Sequence, residues 1–524
     1  MWQLKNNDFC SRWKHPISLT IMLRKLRLTL ALVVFVLITG LFLDFTGTLH
    51  AWLGWLAKIQ FLPALLALNL AVVLFLVVLT LLFGRIYCSV ICPLGIFQDI
   101  VSWLSGRRKK KKYRFSYSPE VKWLRYSVLA IFLIALAAGV GSLVALLAPY
   151  SSYGRIAQNL FSPVYILGNN LLAYFSERIG SYAFYGKEVW LRSLPTFIIA
   201  ACTFAIIVVL AWKNGRTYCN TICPVGTILG LISRFSLLHP VIDTAKCKNC
   251  SLCSRQCKAA CIDYKNHNID YSRCVSCMDC IDSCKHDALH LQWRWKKDVA
   301  PHEEKKDMRV TQEQIDSARR TFLVGTAMVT TSMALAQEKK KVDGGLAVIE
   351  DKIAPKRTTP LTPPGSVSAD NMAHHCTACQ LCVAECPNDV LRPSTDLMKL
   401  MQPTMSYERG YCRPECTRCS QVCPAGAILP ITRADKSATQ IGHAVWIKKN
   451  CIPLRDGVEC GNCARHCPTG AITMIPSDAS NPDSPKVPAV NTERCIGCGA
   501  CENLCPARPF SAIYVEGHEM HRIV

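Results

Sequence analysis

Apolar residues gather in the first two-fifths of the chain as four runs, at about 28–47, 61–83, 127–148 and 194–212. Each run is nearly free of charge and close to the ~20 residues that carry a helix across a ~30 Å hydrocarbon layer. The pattern predicts four transmembrane helices rather than core helices of a soluble domain. The polar intervals predict their sidedness. Lys5, Arg12, Lys14, Arg24, Lys25 and Arg27 flank the start of the first run, and Arg107 to Lys112 with Arg114 lie between the second and third. The interval between the first two runs holds only Lys58, and 149–193 is mixed. Cytoplasmic segments carry the excess of lysine and arginine, which places the N-terminus and the 84–123 loop in the cytoplasm. Beside a membrane helix, such a basic cluster serves topology and anionic lipid rather than nucleic acid.

Past residue 240 the pattern changes to short apolar stretches set among turn residues, with two interruptions. Residues 293–318 are densely charged, a linker by composition, and 338–370 are charged and then rich in proline (Pro355, Pro360, Pro363, Pro364). Between them stands Arg319-Arg320-Thr321-Phe322-Leu323, a modestly apolar stretch, and Ala334-Leu335-Ala336. These are the parts of a twin-arginine export signal in their proper order. Residues 319–337 either remain as a fifth spanning helix or are cleaved after Ala336. The expected organisation is therefore a four-helix membrane domain (1–240), a cytoplasmic ferredoxin (241–292), the charged linker, the export segment, the proline-rich linker and an exported domain (371–524).

Composition sharpens the picture. The 524 residues carry a net charge of +23 and 31 cysteines, of which 24 fall into six motifs of the form C-x2-C-x2-C-x3-C or a close variant. They are Cys247, Cys250, Cys253 and Cys257; Cys274, Cys277, Cys280 and Cys284; Cys376, Cys379, Cys382 and Cys386; Cys412, Cys416, Cys419 and Cys423; Cys451, Cys460, Cys463 and Cys467; and Cys495, Cys498, Cys501 and Cys505. That spacing wraps a [4Fe–4S] cluster, the fourth cysteine ligating the neighbouring cluster in two-cluster ferredoxins. Disulfide frameworks do not repeat this motif, and zinc sites set two C-x2-C pairs well apart. Insertions after Cys412 and Cys451 make those two the least regular first ligands. Without C-x-x-C-H the chain has no c-type haem attachment of its own. Six clusters in two-cluster modules, with Cys257 and Cys284 as crossed ligands of the first, imply α+β ferredoxin-like domains. In these, Cys-Pro turns (Cys386, Cys423, Cys467) lead into short covering strands, and the clusters hold the fold together.

Four more cysteines close the second and fourth apolar runs: Gly84-Arg85-Ile86-Tyr87-Cys88-x3-Cys92-Pro93-Leu94-Gly95 and Gly215-Arg216-Thr217-Tyr218-Cys219-x3-Cys223-Pro224-Val225-Gly226. This is an internal repeat. Both signatures are expected at the cytoplasmic surface, with the two sulfurs of a pair on one helix face and the proline ending the helix. Cys88, Cys92, Cys219 and Cys223 together supply either a further iron–sulfur or soft-metal site, or free thiols that shape a docking surface. Cys261 occupies a slot held by alanine in sister modules and reads as packing rather than as a competitor of Cys257. Cys202 reads as a small buried hydrophobe, and Cys10 has no partner. Lys258 and Lys285 stand where such motifs usually have proline. His374, His375 and His466 sit beside ligands, yet read as solvent-exposed.

At this level the chain resembles the NapH/NapG-type (MauN/MauM-related) ferredoxin-type membrane proteins of periplasmic nitrate reductase systems. Residues 1–292 resemble NapH and 317–524 resemble NapG, with Pro363-Pro364-Gly365, so the whole resembles a fusion of the two. NosR-type proteins share the membrane signature but add a flavin-binding domain without counterpart here. The resemblance implies a bacterial inner-membrane quinol dehydrogenase. It would draw on the quinone pool and pass electrons to a periplasmic haem or molybdenum reductase partner. The competing readings are a maturation or reactivation factor for a periplasmic metalloenzyme, and a membrane redox sensor, for which no output module is visible. No residue of the chain reads nitrate, and none is assigned to quinol.

Overall fold

The computed structural model describes residues 16–108, 115–294 and 350–523. Cys10, the first basic residues, the Lys109–Arg114 cluster, most of the charged linker and the twin-arginine segment lie outside them.

Among the described residues, two helices are long and apolar enough to cross a membrane: α1 (Pro16–Leu43), through its stretch Met22–Leu43, and α9 (Leu194–Asn214). The other two apolar runs are broken. The second becomes α2 (Phe61–Leu66) and α3 (Leu70–Phe83), with Leu68 between them in the left-handed region at φ 52°. After α4 (Pro93–Arg108), the third becomes α5 (Lys122–Ala137) and α6 (Gly141–Leu147), split at Gly139 with φ 69°. The mixed interval after it is largely helical too: α7 (Pro149–Ile156) and α8 (Ser162–Arg178). Outward-facing leucine, isoleucine and valine on α1, α8 and α9 (Leu30, Leu32, Val36, Val164, Leu167, Leu171, Ile198, Ile206) leave an apolar belt. A water-facing surface rarely tolerates so broad a patch.

Cys202 belongs to that belt. It is exposed on α9 rather than buried, because α9 packs through Ala200, Ile207 and Ala211 and turns the face between them outward.

Each proline of the repeat stands where one helix ends and the next opens: Tyr87–Val90 stops before Pro93, and Thr217–Thr221 before Pro224. Pro93 begins α4 and Pro224 begins α10 (Pro224–Ser233), where the missing N–H is an orphan in any case. The thiols are accordingly carried inward, away from any surface.

Beyond α10 come β1 (Leu238–Ile242), β2 (Ile262–Asp263), β3 (Asn268–Ile269) and β4 (Leu289–Trp293), pairing antiparallel as β1 with β4 and β2 with β3. The C-terminal part repeats this scheme with β5 (Leu391–Pro393), β6 (Pro403–Met405), β7 (Thr439–Trp446), β8 (Ile472–Pro476), β9 (Lys486–Val490) and β10 (Ile513–Ile523). They pair as β5 with β6, β8 with β9 and β7 with β10.

The two cysteine-rich parts sit at opposite ends of the long helices. At the start of α1, Arg24 pairs with Asp279 and Asp282, both at 2.9 Å. Past its end, His50 meets Glu385 at 3.1 Å. Ahead of α9, Arg192 reaches Asp389 at 3.5 Å; past its end, the Arg216 amide donates to Lys258 O at 2.8 Å. A 21-residue helix is about 31 Å long, so a membrane's depth separates the two.

Candidate redox centres

The structure gathers the 24 motif cysteines into six quartets, each built from three cysteines of one motif and the last of its neighbour. Cys247, Cys250, Cys253 and Cys284 line one cavity, and Cys257, Cys274, Cys277 and Cys280 another. In the C-terminal part Cys376, Cys379, Cys382 and Cys423 converge, as do Cys386, Cys412, Cys416 and Cys419. Cys451, Cys460, Cys463 and Cys505 form the fifth, and Cys467, Cys495, Cys498 and Cys501 the sixth. The irregular first cysteines, Cys412 and Cys451, take the same place as the regular ones.

Two observations test whether these quartets suit an iron–sulfur group. The first is backbone shape. In four of the loops the residues between ligands are left-handed: Asn249 and Ser251, Ser276 and Met278, Ala378 and Gln380, Gly497 and Gly499. Alternation of this kind turns successive amides into one concavity that fits an anion. Six of these eight positions are not glycine, a strained choice that an anionic cluster would repay. The second is the donor set. Burial pushes the Cys277, Cys379 and Cys498 thiols up to about 12, and those of Cys253 and Cys463 to about 11. Left without metal they are neutral; a metal draws off their protons and gains thiolates. The residues present fit the group.

Cys88, Cys92, Cys219 and Cys223 form a seventh quartet, all buried and within electrostatic range of one another. It is built by exchange between the halves of the repeat. Arg85 crosses to the second half, its Nη2 donating to Cys219 O at 3.0 Å. Arg216 crosses back, its Nη1 donating to Cys88 O at 2.6 Å. Gly95 and Gly226 follow the prolines because each lies against its own half's cysteine carbonyl. A Cβ there would sit 2.2 Å from Cys88 O or 2.3 Å from Cys219 O. Gln98 Nε2 donates to Cys219 Sγ at 3.2 Å, and the Gly226 amide to Cys223 Sγ at 3.3 Å.

The ferredoxin beside this quartet is fastened to it. Arg85 Nη1 donates to Ser272 O at 3.1 Å and Asn220 Nδ2 to Ala259 O at 3.0 Å. Lys258, the residue standing in for proline, bridges Asp99 and Asp279 at 3.0 Å each, and Asp99 in turn takes a bidentate pair from Arg216 at 2.7 Å. Cys261 is buried with its Sγ 3.5 Å from that of Cys257, a fifth thiol beside the quartet. His374 and His466 are exposed and His375 is half-buried, its Nδ1 3.0 Å from Asn371 O. The crossing arginines, the paired glycines and Asp99 escaped the reading of the sequence. The repeat did print the first two, but as spacing around cysteines rather than as parts of the site.

At the far end of α1, Asp44, His50 and Glu385 converge in the interior, their ligand atoms within 4.8 Å. Asp44 takes backbone amides of Thr46, Gly47 and Leu49. Burial would lower the His50 pKa, but hydrogen bonds and charge from the two carboxylates raise it to about 9. The group is an ionic clamp between α1 and the C-terminal part.

Comparison with known proteins agrees with this chemistry. The 4Fe-4S binding domain family matches residues 65–112 and 196–240, the two halves of the repeat, and the 4Fe-4S dicluster domain family matches 458–508. The methylamine utilization ferredoxin-type protein MauM of Methylobacillus flagellatus is 30% identical over 31% of the chain and 70% of its own length. The chain belongs to the ferredoxin-type iron–sulfur proteins. This ferredoxin-type protein is also 28% identical to the ferredoxin-type protein NapH of Escherichia coli, over 45% of the chain and 70% of NapH. An uncharacterised protein of Methanocaldococcus jannaschii is 27% identical over 53% of the chain and 97% of its own length. No solved structure matches.

Proposed function

We propose that this ferredoxin-type protein is a membrane-bound quinol dehydrogenase that passes electrons to a periplasmic haem or molybdenum reductase of the nitrate reductase type. In this reading the chain joins a NapH-like half to a NapG-like half. Its four apolar runs all cross the membrane, two of them as broken helices. The 241–292 ferredoxin lies in the cytoplasm, and the C-terminal part is exported through the twin-arginine segment. The six ferredoxin quartets are the ligands of six [4Fe–4S] clusters, which when bound supply one-electron storage to a two-electron donor.

The observation that carries the proposal is the docking of the C-terminal ferredoxin directly on the helical unit. A Cβ on Gly154 of α7 would meet Cys379 O at 2.4 Å, and Asn159 donates to Gln380 at 3.0 Å. A membrane-dissolved donor thus has a cysteine quartet within one layer of side chains of the helices it reaches. The residues' own part is to hold the thiols in line, exclude water through α7, which is buried along its whole length, and fix the exported part through the Asp44–His50–Glu385 clamp.

The test is anaerobic reduction of the reconstituted full-length protein by a quinol analogue, read by electron paramagnetic resonance and iron quantitation. Reduction of part of a full iron load supports the proposal; a full load that quinol leaves oxidised overturns it.

A further inference from the structure

The two ferredoxins sit at opposite ends of the helices. The Cys88, Cys92, Cys219 and Cys223 quartet lies between them, linked to the first through Arg85 and standing one helix away from the second. Towards the 241–294 part, Arg85 bridges the gap. Its Nη2 lies 3.8 Å from Cys88 Sγ while its Nη1 donates to Ser272 O, two residues from the ligand Cys274. Towards the C-terminal part, Tyr218, the neighbour of Cys219, donates to Leu147 O at 3.4 Å and reaches Ser152. Ser152 accepts from Arg155 at 3.2 Å, and the next residue back, Gly154, abuts the Cys379 carbonyl. A single helix, α7, therefore separates the membrane quartet from the first exported one.

Beyond it the exported quartets are joined in series. The Cys412 amide donates to Cys498 O at 3.0 Å, and buried Tyr407 donates to Gly497 O at 2.7 Å. At the opposite terminus of the row, Cys250 is exposed, Lys248 lines its cavity, and exposed Lys246 (paired with Asp243 at 3.5 Å), Arg255 and Lys285 lie in or beside the same motifs.

We infer that the membrane quartet, Cys88, Cys92, Cys219 and Cys223, holds a redox-active iron–sulfur group that joins the two ferredoxins into one electron conduit across the membrane. The exposed basic residues of the Cys250 motifs suit the approach of an acidic one-electron carrier. Tunnelling falls steeply with distance, so a conduit needs a stepping stone in the middle. Without this quartet the helices would insulate the two ferredoxins from each other; with it, the 241–294 part has a function that quinol oxidation alone does not give it. Opposite charge speeds and orients such an encounter.

The inference is independent of the quinol reading and is tested without quinone. The loaded full-length protein is reconstituted in sealed liposomes that enclose cytochrome c, with dithionite outside. Each electron leaves a sulfur dioxide radical anion, which is oxidised to sulfite, and ends on ferric haem iron, reduced to ferrous. The expected result is enclosed haem reduced at least tenfold faster than in protein-free liposomes. The same rise is absent for Cys88→Ser/Cys219→Ser, whose iron content falls by one site's worth while the ferredoxin resonances persist. A rate equal to that of protein-free liposomes, or a double variant that conducts as the parent does, overturns the inference.

Should the variant fail to fold, the parent alone decides. In sealed liposomes without acceptor, outside dithionite should reduce clusters on both faces, so opening the liposomes with detergent adds no further signal. A roughly twofold rise on opening would mean that the two ferredoxins are isolated.

Discussion

Replacing Gly226 by alanine would put a methyl carbon 2.3 Å from the Cys219 carbonyl oxygen and 2.7 Å from Nη2 of Arg85, closer than real Cβ atoms come to either. Neither neighbour can retreat cheaply. The carbonyl belongs to the backbone of the thiol-bearing turn, and the guanidinium is held by that carbonyl, by Asn220 at 2.8 Å and by Ser272 O. Overpacking of this kind costs about 1–3 kcal/mol. The displaced atoms are those that set the spacing of Cys219 and Cys223, so on the role inferred for this quartet the strain would fall on metal retention, and at 1.4 kcal/mol per decade the hold on iron would weaken roughly 5- to 140-fold. The assay is iron and acid-labile sulfide per chain after challenge with graded chelator. One site should empty early in Gly226→Ala, and the ferredoxin sites should empty as in the parent. Gly168→Ala is the control: nothing lies within 4 Å of its Cβ, and alanine inside α8 is worth about 1 kcal/mol over glycine. Equal iron retention by parent and Gly226→Ala at every chelator concentration would refute the steric argument.

Other outcomes follow from the same contacts. Asp99→Asn removes the carboxylate that faces Arg216, Lys258 and Arg27. It should destabilise the junction by about 3–5 kcal/mol, as stranding buried charge does, seen as a lowered thermal unfolding midpoint in detergent. Cys261→Ala should keep the parent's iron content, whereas Cys257→Ser should lose it; iron loss in Cys261→Ala would make that thiol a ligand. The His50 clamp carries a pH signature. Because its folded pKa is raised to about 9, its stabilisation is complete below the unfolded value near 6.5 and is lost as pH rises through 9. Protease release of the C-terminal part should therefore quicken between pH 7 and 10 in the parent, and His50→Gln should flatten that rise.

What the sequence disclosed followed from chemistry that acts locally. Ligand spacing is a local property, so all six motifs, and even the crossed use of Cys257 and Cys284, could be read before any fold was known. The repeat was visible for the same reason. Breaks in the apolar runs were not, because Leu68 carries no turn signal and Gly139 sits inside an apolar stretch where glycine is common. Lys258 looked like a departure from the motif because its partners, Asp99 and Asp279, are 159 and 21 residues away along the chain. Cys202 was misplaced because periodicity in an all-apolar helix does not tell its packed face from its outer one.

The exchange of arginines also sets an order of manufacture. Arg85 finds its carbonyl and amide acceptors at Cys219, Asn220 and Ser272, so the first thiol pair gains this support only once the chain has been made to about residue 272. Until then the early cysteines are in place but unfinished. If this quartet takes metal as inferred, its loading would follow the folding of the neighbouring ferredoxin, which would make one centre a checkpoint for the other.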